Sequence, residues 1–327
     1  MNFKNKLLIV FSFLLLLIPI NALAYSKKII PSGANVGIQV NSYGILIVGF
    51  YEVDDKFIGK DAGFELGDRI IAINSKEVTS IENMINTIQE ENKTSLSVSF
   101  LRNNKEYDLT LNLVKDENDI YKTGLYVKDR ISGIGTLTYI DPNSKIYGAL
   151  GHEILEKTTM QKFEIKDGKI YSSDVIGIEK SERGTPGEKN ARYYKDDILG
   201  TINKNEETGI FGIYQDEIDI NEAVNIAYPD EIKTGKAVIK TVIDGTKIEQ
   251  FEIKILKIDK KSEVKNLLFE ITDQKLLEKT NGVIQGMSGS PILQDNKLIG
   301  AVTHVIVNDS KKGYGIFITT MLEEGEK

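Results

Sequence analysis

The alternation of apolar and polar positions divides the chain into a leader, a small mixed unit and a long β-rich body. Lys4 and Lys6 precede an apolar run over 7–20, and Ala22-Leu23-Ala24 follows it. Basic residues, an apolar stretch and small residues in that order form a secretory signal pattern. The run suits a signal h-region and is short for a spanning helix, which needs about 20 residues. Segment 1–24 is therefore expected to be a signal peptide, or a signal anchor that ties the protein to the membrane if it is retained. Either way the bulk of the chain is exported.

Beyond the leader, β-branched and apolar runs at 36–40, 45–50, 69–73, 96–101 and 107–113 predict strands, with Asn103-Asn104 as a tight hairpin. One stretch has helical spacing instead: Ile81, Met84, Ile85 and Ile88 share a face behind Ser80 as N-cap. These elements make a first domain over 30–114. From 115 onward, runs at 135–140, 210–214, 236–243, 248–256, 267–271 and 297–306 read as further strands, so 115–327 is expected to be a second, β-rich domain. The fold class is mainly β with a few helices.

Length agrees with two domains, since 327 residues exceed the roughly 100 to 200 of one core. A net charge of -7, with lysine and glutamate interspersed, argues against nucleic acid as the main partner. With no cysteine there is no disulfide framework and no thiol catalysis. Neither a His-Glu-x-x-His pattern nor a Cys/His cluster is present, so no metal site and no cofactor are expected.

Candidate chemistry lies near the C-terminus, where Gly286-Met287-Ser288-Gly289-Ser290-Pro291 has the Gly-x-Ser-Gly-x-Pro form that surrounds the nucleophile of chymotrypsin-like proteases. Glycine lets the backbone turn its N–H groups into the site and leaves room beside the serine. Gly286 and Ser288 would supply the oxyanion-hole N–H groups. A plain small-residue turn is the competing reading. Ser290 is the rival nucleophile, at a place where a small wall residue fits better. A serine needs a base, and the chain has two histidines. His152, in Gly148-Ala149-Leu150-Gly151-His152, is flanked by glycines that let an imidazole emerge from a strand end. His304 lies within a β-branched strand and suits a packed, hydrogen-bonded role. For the third member Asp273 stands out weakly, with Asp141, Asp197, Asp295 and Asp309 as competitors that spacing does not separate. The run Gly184-Thr185-Pro186-Gly187-Glu188-Lys189 reads as a surface turn, with a cleft or regulatory loop as the minority reading.

With these segments in view the chain resembles the SpoIVB peptidase family of endospore-forming bacteria over nearly its whole length. The carrying segments are 147–152, Ile271-Thr272-Asp273, 283–292, and Gly300-Ala301-Val302-Thr303-His304-Val305 with Val307-Asn308-Asp309. The resemblance implies a chymotrypsin-like serine endopeptidase with His152 as base, Asp273 as its carboxylate and Ser288 as nucleophile, and a structural His304. It further implies export into the forespore intermembrane space and self-processing. The protein substrates would include a regulator of a membrane-embedded protease that matures a late mother-cell sigma factor.

In the first domain, Ala62-Gly63-Phe64-Glu65-Leu66-Gly67-Asp68-Arg69-Ile70 resembles the signature of PDZ domains attached to bacterial proteases. A PDZ domain adds an extended peptide to a sheet edge and captures its terminal carboxylate. Val36, Gly37 and Ile38 are the peptide-binding loop this implies, weakly, beside the reading of a domain that only packs on the protease. A general quality-control protease of the HtrA kind and a non-enzymatic PDZ adaptor are the alternatives. The HtrA kind carries its PDZ modules after the protease rather than before it.

Overall fold

The computed structural model describes residues 25–327, so the leader expected over 1–24 lies outside the described residues. No helix among the described residues is long and apolar enough to cross a membrane. The architecture is mainly β: a PDZ-like unit and two β-lobes in a chymotrypsin-like arrangement, with the Gly286–Pro291 loop at the junction of the lobes.

The PDZ-like unit is built on strands Arg69–Ile73, Ser95–Arg102 and Lys105–Asn112, antiparallel neighbours in one sheet. Asn103 and Asn104 join the last two in left-handed conformation, φ 52° and 60°. Asparagine tolerates that conformation, and the resulting turn matches the twist of a two-residue hairpin. Helix Ile81–Glu91 starts at Ser80, whose Oγ accepts from Asn83 N at 3.1 Å. Met84 and Ile88 enter the core with Phe64, Ile70, Val98 and Phe100. Ile85, which the spacing places on the same face, is instead 48% exposed. Thr87 takes the buried place, because its hydroxyl is satisfied inside the helix by Asn83 O at 2.8 Å.

Asp68 of the Gly-Asp signature is buried and grips Arg102 through two 2.7 Å bonds, Nε to Oδ1 and Nη2 to Oδ2. It also accepts from Glu65 N at 2.8 Å. Charge-assisted, bidentate pairing offsets the cost of taking this carboxylate out of water. Asp68→Ala removes the bidentate partner while Arg102 keeps Glu65 Oε1 at 2.8 Å and Gly63 O at 2.9 Å, so a stability loss of about 2 kcal/mol is expected. Urea unfolding would show it as a lower midpoint with an unchanged slope.

The first lobe redraws the boundary read from the sequence. Strand Asn35–Phe50 pairs through residues 36–42 with Ile165–Glu179 on one side and through 35–41 with Leu125–Ile140 on the other. Only its last residues, 45–50, join the PDZ-like unit. The unit thus begins near residue 44 and is inserted into the first lobe, and 30–43 belong to the peptidase body rather than to a domain over 30–114. Val36, Gly37 and Ile38 therefore do not form a peptide-binding loop. Both their strand edges are already paired, and Val36 and Ile38 are buried. Gly37 is glycine because the Tyr193 ring lies where its Cβ would be. Val36, Ile38, Val40, Leu137, Tyr147 and Ile170 are part of the core of this lobe.

The second lobe is a closed antiparallel barrel whose wall runs Gly235–Val242, Ile248–Ile258, Leu267–Ile271, Lys312–Phe317, Lys297–Val305, Pro291–Gln294 and back to the first strand. Ile239, Phe251, Ile253, Phe269, Met287 and Ile292 lie inside. Helix Ile318–Glu326 seals the junction, with Met321 and Leu322 against Tyr139 and Phe211 of the first lobe.

Candidate active site

Two threonines of strand Leu125–Ile140 hold the loop that carries Ser288 against the first lobe. Thr136 Oγ1 donates to Gly286 O at 2.7 Å, Thr136 N to Ser288 O at 3.0 Å, and Thr138 Oγ1 to Gly289 O at 2.7 Å. Both hydroxyls are fully buried, so these bonds face no competition from water. Gly289 sits at φ 94°, and a Cβ there would strike the Thr136 carbonyl and Leu150 N. The glycine is what lets the loop lie this close to the strand.

Within the loop, the N–H groups of Gln285, Met287, Gly289 and Ser290 are each hydrogen-bonded, to Gly187 O, Ile284 O, Val302 O and Met287 O. Those of Gly286 and Ser288 have no partner among the described residues. Their direction is fixed by the carbonyls across the same trans peptides, which point away. Gln285 O accepts from Lys189 N at 3.0 Å and Met287 O from Ser290 N at 2.9 Å. Two free N–H groups, one residue apart and flanking Ser288, are the donor pair an oxyanion requires. Gly286 achieves this at φ 91°.

Ser288 is half-buried and its Oγ donates to Thr303 O at 2.8 Å. Ser290 is fully buried with an unpartnered Oγ, which leaves it out of reach of a substrate. Of the two hydroxyl-bearing residues in the run, only Ser288 is partly open to solvent.

His152 follows strand Ile146–Ala149 through Leu150 and Gly151, both left-handed at φ 67° and 71°. A Cβ on Gly151 would lie 2.9 Å from Thr303 Cγ2, so the glycine brings the histidine against the strand behind Ser288. His152 Nδ1 lies 2.8 Å from Glu153 O. A carbonyl only accepts, so the hydrogen sits on Nδ1 and Nε2 carries the lone pair, which is the tautomer a general base needs. Burial lowers the pKa of His152, against the opposing pull of the Glu153 carbonyl and carboxylate. The ring is neutral at neutral pH, and protonation that disables it must come below the ordinary histidine value near 6.5. An acid limb below that value is expected in the pH profile of Ser288 acylation, read by the rate of labelling with a fluorophosphonate.

His304 packs beside His152, with ring centroids 5.3 Å apart and planes tilted by 41°. The packed role read from the sequence holds, but the expected hydrogen bond does not form at Nδ1, which is buried and unpartnered. Burial, and then the charges of His152 and Lys265, push its pKa down to about 4. His304 thus stays neutral and places no positive charge on its neighbour.

Asp273 is not brought to His152. Its Oδ1 accepts from Leu276 N at 2.9 Å as N-cap of helix Gln274–Thr280, and Oδ2 accepts from Glu252 N at 3.4 Å. By register, His304 stands opposite Tyr314 and Tyr314 opposite Leu268. The strand runs on from Leu268 to Ile271, roughly 10 Å further along the barrel wall, and Asp273 lies beyond its end. Of the other acids, Asp141 is spent on Ser26, Asn143 and Ser144, and Asp309 on Lys312. Among the described residues none of these carboxylates bonds the imidazole, and the Glu153 carbonyl occupies that place. A backbone carbonyl carries no residue-type signal, so sequence reading had nothing to find there.

The model of the SpoIVB peptidase S55 family matches residues 119–322. No curated protein matches the chain. Among solved structures, the chain is similar to the PDZ domain of the SdrC-like protein (Lmo2051) from Listeria monocytogenes, at 16% identity and a TM-score of 0.23, over 27% of this chain and 90% of that one. It is also similar to the inactive Ser343Ala mutant form of Rv3671c from M. tuberculosis H37Rv, at 14% identity and a TM-score of 0.30, over 58% of this chain and 80% of that one.

Proposed function

Since the chain belongs to the SpoIVB peptidase S55 family, we propose that it is a sporulation-signalling serine endopeptidase in which Ser288 and His152 carry the chemistry. The observation that carries this reading is the pair of unbonded N–H groups at Gly286 and Ser288, together with a half-buried serine whose hydroxyl bonds Thr303 O, the residue against which Gly151 packs next to the neutral His152. In the reaction the Ser288 hydroxyl leaves Thr303 O and turns to His152 Nε2. His152 takes the proton as Oγ attacks the scissile carbonyl, and the oxyanion forms against Gly286 and Ser288 N–H. His152 then gives the proton to the leaving amine, and water, activated by the same imidazole, hydrolyses the acyl-enzyme. The Glu153 carbonyl holds the tautomer throughout.

The substrates of this reading are proteins: the chain itself and a membrane-bound regulator whose cleavage releases a membrane-embedded protease for late mother-cell sigma factor maturation. Segment 1–24 exports the enzyme to the forespore intermembrane space, as a removed signal or a retained anchor. Family membership and the leader pattern support this part of the reading. The test is incubation of the purified protein beside its Ser288→Ala variant, with mass spectrometry of self-cleavage products over time. Products from the parent alone are expected; identical fragments from both would exclude Ser288 as nucleophile.

A further inference from the structure

The base of the Gly184–Lys189 run is not a surface turn. Residues 182–185 form the exposed tip, but Gly187 O accepts from Gln285 N at 2.7 Å and Lys189 N donates to Gln285 O at 3.0 Å. Ser181 Oγ closes the other side, accepting from Gly187 N at 2.9 Å and donating to Val283 O at 3.0 Å. Lys189 itself is 1% exposed. Its stem lies under Gly286, where an added Cβ would meet Lys189 Cδ at 3.1 Å and Cβ at 3.2 Å. Its Nζ lies 2.9 Å from Thr241 Oγ1 in the second lobe and a long 3.5 Å from Thr136 Oγ1 in the first. Among the described residues it forms no salt bridge.

We propose that Lys189 is a positioning residue for the oxyanion loop, acting in its charged form through Thr136 on the Gly286 carbonyl. The inference rests on the serine-peptidase reading above. An ammonium group has three donors and no lone pair, so both threonine hydroxyls can only accept from it. Each must then send its own proton elsewhere, and for Thr136 that target is Gly286 O at 2.7 Å. A neutral amine has a lone pair. The Thr136 hydroxyl can then turn to Nζ, which frees the Gly286 carbonyl and with it the peptide planes that aim the donors.

The surroundings make this change accessible near neutrality. Burial alone lowers the Lys189 pKa to about 7. The groups facing Nζ from the packed strands, Thr136 and Thr241, do not titrate. Glu179 and Glu188 of the adjoining strand pair are exposed, and Lys240 points its Nζ to Pro31 O at 2.7 Å. Deprotonation on raising the pH is therefore expected to slow acylation while leaving ligand affinity alone.

The test is fluorophosphonate labelling of Ser288 in the purified protein from about pH 6 to about pH 9, resolving the limiting rate from the half-saturating concentration. In the parent the limiting rate should fall at least about tenfold across an alkaline limb near neutrality. In Lys189→Met that limb should vanish, with the rate uniformly low and half-saturation unchanged. Thr136→Val, which cuts the relay but keeps the lysine, should lose the limb as well, and it decides the matter if the methionine variant does not fold. A parent rate that stays flat or rises over this range overturns the proposal, as does an unaltered limb in either folded variant. Absence of Ser288-dependent labelling at every pH overturns the peptidase reading first and the proposal with it.

Discussion

Ser288→Ala is expected to lower peptide cleavage by at least about ten-thousandfold, because no second hydroxyl in the loop can take over. The nearest candidate, Ser290, is fully buried with an unpartnered hydroxyl, out of a substrate's reach. Ser290→Ala removes a buried hydroxyl that has no partner, so it should cost little stability and leave cleavage within about tenfold of the parent. The contrast matters more than either number. A loss common to both variants would mean a damaged loop, whereas a loss confined to Ser288 identifies the attacking oxygen. Cleavage kinetics on a peptide taken from the self-cleavage site, with fluorophosphonate labelling as a substrate-independent check, would separate these outcomes. Equal labelling of Ser288→Ala and the parent would remove the nucleophile assignment.

Residues whose role depends on near neighbours were legible in the sequence. Ser80 caps its helix, Asn103-Asn104 turns the hairpin, and the predicted barrel strands appear at their predicted places. Gly286 and Gly289 use the turning freedom expected of them, at φ 91° and 94°. What could not be read depends on pairing over long separations. Nothing local at residues 35–43 says that the strand pairs with residues 165–172 and 130–136, so local pattern alone puts the domain boundary too early and makes Val36 to Ile38 a loop. Lys189 was hidden in the same way, since a lysine beside Gly, Pro and Glu looks solvated until its strand is laid against Gln285. The resemblance places Asp273 in the triad by position, whereas the carboxylate caps the N-terminus of helix Gln274–Thr280, accepting from Leu276 N.

His152→Ala should therefore cost about as much as loss of the nucleophile, roughly ten-thousandfold or more, while Asp273→Asn should stay within about threefold of the parent. Asparagine caps helices as well as aspartate does, so the amide keeps the bond to Leu276 N and helix Gln274–Thr280 stays in place. Asp273→Ala loses the cap, with about 1 kcal/mol of stability expected to go with it. If Asp273 did hold the imidazole, the same asparagine would favour the wrong tautomer and cost about ten-thousandfold without unfolding anything. Turnover and thermal midpoint measured together on the three variants distinguish these roles. A folded Asp273→Asn protein that has lost activity a thousandfold would return the carboxylate to the catalytic group. Retained activity would mean that the Glu153 carbonyl alone orients His152. A carbonyl fixes the tautomer by its lone pair but brings no full negative charge to the imidazolium formed during attack. Transition-state stabilisation then falls mainly on the two N–H groups beside Ser288, and so on the threonines and the lysine that hold their loop.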